Sequence, residues 1–213
     1  MASIKTIVSA MATIFERVEP GERKKNKRNI LSSALACFNE LGIEASTIDH
    51  IRERSGSSTG SIYHHFGNKE GLVAALFFAA LTDQEQQINA AVSQANCAKE
   101  AIKAIVHTYL TWVTEHPDLA HFVFRAHSVI SNSAHREQLK ARNKDVYKPL
   151  FLLFKAAQDK GEIKTLPVET IASILVGPAE NYSRAWLAKR VKETPLHHAN
   201  ILAEAAWSAF VRE

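Results

Sequence analysis

The chain has 213 residues, enough for one medium domain or a small domain joined to a larger one, and its 46% of hydrophobic residues suffices for a sizeable core. Few Gly and Pro beside abundant Ala favour helices throughout, and a formal net charge of +4 permits contact with a polyanion without requiring it. Cys37 and Cys97 read as reduced thiols, which excludes a disulfide framework and points to the cytoplasm, and no apolar run approaches the roughly 20 residues of a membrane span.

Ile4, Ile7, Val8, Met11, Ile14, Phe15 and Val18 fall at helical spacing before Pro20-Gly21 stops the run. This amphipathic extension, residues 1–21, lacks the form of a secretory signal and is expected to pack on the protein or on a partner subunit. The basic stretch "ERKKNKR" follows and leads into a helix with Ile30, Leu31, Ala34, Phe38 and Leu41 on one stripe and Gly42 at its stop. In "ASTIDHIRERSG", Thr47 is the expected N-cap, Ile48 and Ile51 the buried positions and Gly56 the break. In "SSTGSIYHHFG", Ser58 is the cap, with Ile62 and Phe66 one turn apart on one face. Asn68 then caps a longer helix.

Two short helices joined by a Gly-containing turn are the sequence form of a helix-turn-helix, here expected within residues 22–70. In that motif the second helix enters the major groove and the first crosses the phosphate backbone. Thr59, Gly60 and Ser61 are small enough for close approach, and Tyr63, His64 and His65 supply polar reach. Lys69 combines a cation with a helix start, a site suited to phosphate. Arg23, Lys24, Lys25, Lys27 and Arg28 form a basic arm beside this head. Such a run is equally an ordinary solvated face; its combination with a capped helix, short turn and polar-aromatic helix favours DNA.

Residues 46–72, "STIDHIRERSGSSTGSIYHHFGNKEGL", resemble the DNA-binding signature of the TetR (tetracycline repressor-like) family. The resemblance implies a homodimeric transcriptional regulator, usually a repressor, binding a double-stranded DNA operator, with a C-terminal domain that takes a small-molecule effector. By position, it implies groove contacts from Thr59, Gly60, Ser61, Tyr63 and His64, and phosphate contacts from Thr47, Tyr63, His65 and Lys69. Two departures are an acidic Asp49 just after the cap and an extension before the basic arm longer than most members carry.

Residues 71–213 read as further helices, at about Ala98–Glu115, Pro117–Ala126, His135–Lys160, Val168–Arg190 and Leu196–Val211, with Pro149 expected to bend or split the third. The fold class expected is therefore all-α: a three-helix head, then a larger helical effector-binding and dimerisation domain. The resemblance implies dimerisation through the last two helices. Ala199, Leu202, Ala203, Ala206 and Phe210 suit one seam; Val176, Ala179, Ser183 and Trp186 suit the facing one, although each face is equally able to be internal core.

An apolar pocket with a few polar groups at its wall is expected from Trp112, His116, Phe122, Tyr147, Phe151, Phe154, Asn181 and Tyr182, with Phe124 and Trp186 near. Its aromatic lining suits a hydrophobic or aromatic effector. No phosphate loop, nucleophile elbow or zinc spacing is present, so no enzyme activity, metal or cofactor is expected. A helical ligand- or protein-binding module that does not read DNA is the alternative.

Overall fold

The computed structural model describes residues 14–212, apart from the side chains at 145–147 and 149. Ile4, Ile7, Val8 and Met11 of the expected amphipathic face lie outside the described residues. Ile14 and Phe15 are buried, so the described end of the extension packs on the protein.

Nine α-helices follow among the described residues: α1 (Lys25–Leu41), α2 (Ile48–Ser55), α3 (Thr59–Phe66), α4 (Lys69–Val92), α5 (Ala98–Glu115), α6 (Pro117–Ser131), α7 (Arg136–Asp159), α8 (Val168–Leu187) and α9 (Ala199–Phe210). Short 3-10 turns at Glu22–Lys24 and Pro195–His198 precede α1 and α9. The all-α expectation holds; the β pairing described is one isolated bridge, Ile163 with Val211. α6 runs five residues past its expected end at Ala126. Pro149 lies within a continuous helix, because a proline removes one hydrogen bond and the flanking turns of a 24-residue helix maintain the rest.

The chain forms two compact units. The first holds the residues up to Asp83 together with Asp118–Arg136, so α6 groups with the head. Its core explains this. Phe38 of α1 stacks on Phe122 of α6 at 5.6 Å between centroids. Asn39 Nδ2 donates to the Asp118 carbonyl at 2.9 Å. Of the stripe expected on α1, Ile30, Leu31, Ala34 and Phe38 are buried; Leu41, in the last turn, is 48% exposed. A fully buried Asp83 on α4 receives both Nε (2.7 Å) and Nη2 (3.0 Å) of Arg17, a two-point pairing that fastens the extension to that helix.

The second unit, Gln84–Pro117 with Glu137 onward, is built around α5, which packs against α9 and α8. Ala101, Ile102, Ile105, Val106, Leu110 and Val113 supply the apolar face of α5. Phe154 of α7 meets Phe210 of α9 at 5.1 Å. Ala199, Ala203, Ala206 and Phe210 are all buried inside this unit. They were expected to form a seam with a partner copy, and that face is already taken by the protomer's own helices. The same holds for Ala179 and Ser183 on α8. The outward residues of α9 are others, with Ile201 69% exposed.

Candidate nucleic-acid interface

Two caps and a glycine shape the head. Thr47 Oγ1 accepts the His50 N–H at 3.2 Å and His50 Nδ1 accepts the Thr47 N–H at 3.3 Å, a reciprocal box that starts α2. Gly56 ends α2 with φ 65°, left-handed backbone that a side chain disfavours. Ser58 Oγ then accepts the Ser61 N–H at 3.2 Å and starts α3. The corner is clasped from α1: Asn26 accepts from Ser57 Oγ at 2.9 Å and donates to Ser61 Oγ at 2.8 Å, while Asn29 donates to the Ser55 carbonyl at 2.7 Å.

Ile62 and Phe66 anchor α3 from its inner side, 1% and 8% exposed. Thr59, Gly60, Tyr63 and His64 are exposed on the other side, and Ser61 and His65 are half-buried. Burial, together with the charges of His64, Lys27 and Lys24, holds the His65 ring below its ordinary pKa, while Glu19 opposes. The His65 ring is thus harder to protonate than a free imidazole.

The basic arm divides. Lys24, Lys25 and the cap residue Thr47 are exposed. Lys27 instead bonds Glu19, which Lys24 also reaches at 3.2 Å. Arg28 donates to the carbonyls of Glu19 (2.9 Å) and Gly21 (2.8 Å). Burial works against the Glu19 carboxylate, and hydrogen bonds and charges from Lys27 and Lys24 outweigh it, keeping its pKa below the ordinary value. Lys69 departs furthest from expectation. Its ammonium donates to the carbonyls of Ile43 (3.1 Å), Glu44 (2.9 Å) and Ser46 (2.9 Å). An ammonium has three N–H donors, so in this arrangement Lys69 binds backbone where a phosphate contact was expected.

Gly71 had no assigned part and has a steric one. A Cβ there would stand 2.1 Å from the Phe66 carbonyl oxygen, so only glycine lets the first turn of α4 lie this close to the end of α3. Glu19, Asn26 and Asn29 were likewise not anticipated. Their partners lie 5 to 35 positions away, and no periodicity signals such pairs.

The expected effector residues are less gathered. Phe122 spends a ring face on Phe38 in the first unit. In the second unit Trp112 is buried with His116 edge-on at 5.7 Å, and Phe154 packs on Phe210. Phe151 is 40% exposed. Asn181 is exposed beside Ala172, Ser173, Val176 and Gly177 in an open groove along α8. Tyr182 donates its hydroxyl to the Glu193 carbonyl at 3.1 Å and sets its ring against His198. The Tyr147 side chain lies outside the described residues. Among the described residues no group of three or more His, Cys, Asp or Glu is placed to hold a metal ion.

Residues 30–76 match the family described as bacterial regulatory proteins, tetR family. The chain is 29% identical over 168 residues to the HTH-type transcriptional repressor AcnR of Corynebacterium glutamicum, covering 74% of this chain and 80% of that one. To the AcnR repressor of Corynebacterium efficiens it is 45% identical over 60 residues, 28% of this chain and 32% of that repressor's length. Its fold matches a TetR family transcription regulator from Marinobacter aquaeolei VT8 with a TM-score of 0.76 and 22% identity, over 90% of this chain and 99% of the other. A capped helix-turn-helix with its polar helix face outward thus lies within the residues that match the tetR family of bacterial regulatory proteins, and the fold of such a regulator runs along most of the chain.

Proposed function

We propose that the chain is a transcriptional repressor that works as a homodimer, with residues 22–70 reading operator DNA and residues 71–213 binding a small hydrophobic or aromatic effector. One observation carries this reading: α3 is pinned by Ile62 and Phe66 and presents Thr59, Gly60, Tyr63 and His64 outward at the corner of a clasped helix-turn-helix. Major-groove recognition requires such a face. Two copies would set their α3 helices about one DNA turn apart, ~34–36 Å, on a palindromic site. The outward residues Ile201 and Leu196 and the exposed groove of α8 suit the partner seam. The name of the 29% identical relative, a transcriptional repressor, supports the sign of regulation.

Base and phosphate contacts now rest on Thr47, Thr59, Gly60, Ser61, Tyr63, His64 and His65, with Lys25 on the backbone; Lys24 and Lys27 are paired with Glu19, and Lys69 takes a positioning part. Effector binding would shift α4 relative to its partner copy and change the spacing of the two heads. A coupling of about 1–3 kcal/mol changes operator affinity several-fold to a hundredfold or so. A gel shift on DNA upstream of the protein's own coding sequence tests the reading. Tyr63→Ala and His64→Ala should each weaken the specific complex about tenfold or more, since a base-edge contact is worth about 1–3 kcal/mol. Unchanged binding by both would contradict it.

A further inference from the structure

Glu19 engages two lysines of the basic arm. Its two carboxylate oxygens take Lys27 and Lys24, two of the cations that a nucleic-acid reading assigns to the DNA backbone. Carboxylate and lysines are half-buried or partly covered: Glu19 and Lys27 retain 20% of their side-chain exposure and Lys24 49%. The cluster lies beside the reading helix, since Asn26, between Lys24 and Lys27 in the chain, donates to Ser61 Oγ of α3 at 2.8 Å. Glu19 is also firmly placed. Its own carbonyl is held by Arg28, Ile14 and Phe15 behind it are buried, and Arg17 is paired to Asp83. An anionic group is therefore fixed at the edge of the DNA-facing surface, already neutralising its lysines.

We infer that Glu19 is a specificity-determining residue: an internal stand-in for phosphate that withholds Lys24 and Lys27 from DNA and so suppresses sequence-independent binding. The inference rests on the DNA-reading function above. Sequence-independent affinity comes from cations that neutralise phosphates and release counterions. A lysine already paired to a carboxylate must lose that partner first, and its net gain on reaching a phosphate is small. The contacts of α3 with base edges are untouched by this competition. The ratio of specific to non-specific binding therefore rises. Arg28 does not belong to the device; its partners are backbone carbonyls, which anchor the extension whatever residue occupies position 19.

The test is a salt titration of full-length protein on a short random-sequence duplex, comparing Glu19→Gln with Glu16→Gln. Glu16 lies on the same extension, is 59% exposed and approaches Arg28 only at 4.0 Å, so its variant removes the same charge without freeing either lysine. Glu19→Gln should bind the random duplex more tightly than wild type. Its plot of log affinity against log salt should be steeper by about 0.9 for each lysine released. Adding Lys27→Met should reverse part of that gain, although Lys27→Met alone leaves the wild-type slope nearly unchanged. Equal steepening by Glu16→Gln, no steepening by Glu19→Gln, or a slope reduced by Lys27→Met alone would overturn the inference. Wild-type protein with no salt-dependent DNA binding at all would remove the DNA-reading function itself, a separate outcome.

Discussion

The two compact units are held by different means. The head is stitched: short helices of eight residues are fixed by caps and by side chains that reach across to backbone, as Asn29 does to Ser55 and Lys69 to three carbonyls. The second unit is packed. Longer helices close over an apolar interior in which Phe154 and Phe210 meet and small alanines let α9 approach α5. An eight-residue helix is too short to persist in isolation, so the head needs specific polar partners to fix its angles. A helix of the second unit gains most of its stability from one buried face, which leaves its outer face able to vary.

The largest effects should separate the two. Ile62→Ala and Phe210→Ala each delete a fully buried side chain, at about 2–5 kcal/mol. By hydrogen exchange, Ile62→Ala should abolish protection in α3 and keep it in α5, whereas Phe210→Ala should strip α9 and α5. Loss of both regions together in both variants would mean that they melt as one unit and would break the comparison.

A smaller effect is expected at the joint inside the head. Gly71→Ala introduces a Cβ 2.1 Å from the Phe66 carbonyl oxygen, so α3 and α4 must part. Overpacking of this kind costs about 1–3 kcal/mol. The measured melting temperature should fall modestly while DNA binding falls much further, because the tilt of α3 changes. A proportionate fall in both would assign Gly71 to stability alone.

The smallest effect concerns pH. His121 of α6 is held below its ordinary value of about 6.5 by burial and then by the charge of Arg125, with Asp118 opposing. His65 is lowered too, by burial and by its cationic neighbours. Folded rings that bind protons less readily than unfolded ones leave stability intact above about pH 6.5, and stability declines as pH falls through the depressed values. Chemical denaturation at pH 7.5 and 5.5 should show weaker stability at the lower pH, and His121→Gln should reduce the difference. An unchanged difference would place the sensitivity elsewhere.

The stitched unit was also the legible one. Thr47, Ser58 and Asn68 cap the helices that the sequence assigned to them, and Ile62, Phe66 and Ile51 are buried as their spacing implied. Caps and turns depend on neighbours a few positions away, so local sequence determines them. Lys69 and Lys27 have partners that the sequence did not reveal for the complementary reason: a basic residue looks available until its distant partner is known, and the carbonyls of Ile43 and Ser46 lie more than twenty positions from Lys69. The second unit shows the same limit for apolar residues. Ala199, Ala203, Ala206 and Phe210 announce a buried face, but periodicity does not say which helix covers it, and α5 of the same chain does. Phe122 and Trp112 were grouped as pocket lining on composition; one stacks on α1 and the other is core of α5.

Lys69 grips the loop ahead of α2 while its own helix begins against α3. The first turn of α4 therefore meshes with the reading helix and its neighbour like a key in a lock barrel. A small twist of that long shaft would turn the whole bit together, because at Gly71 the two helices already touch backbone to backbone.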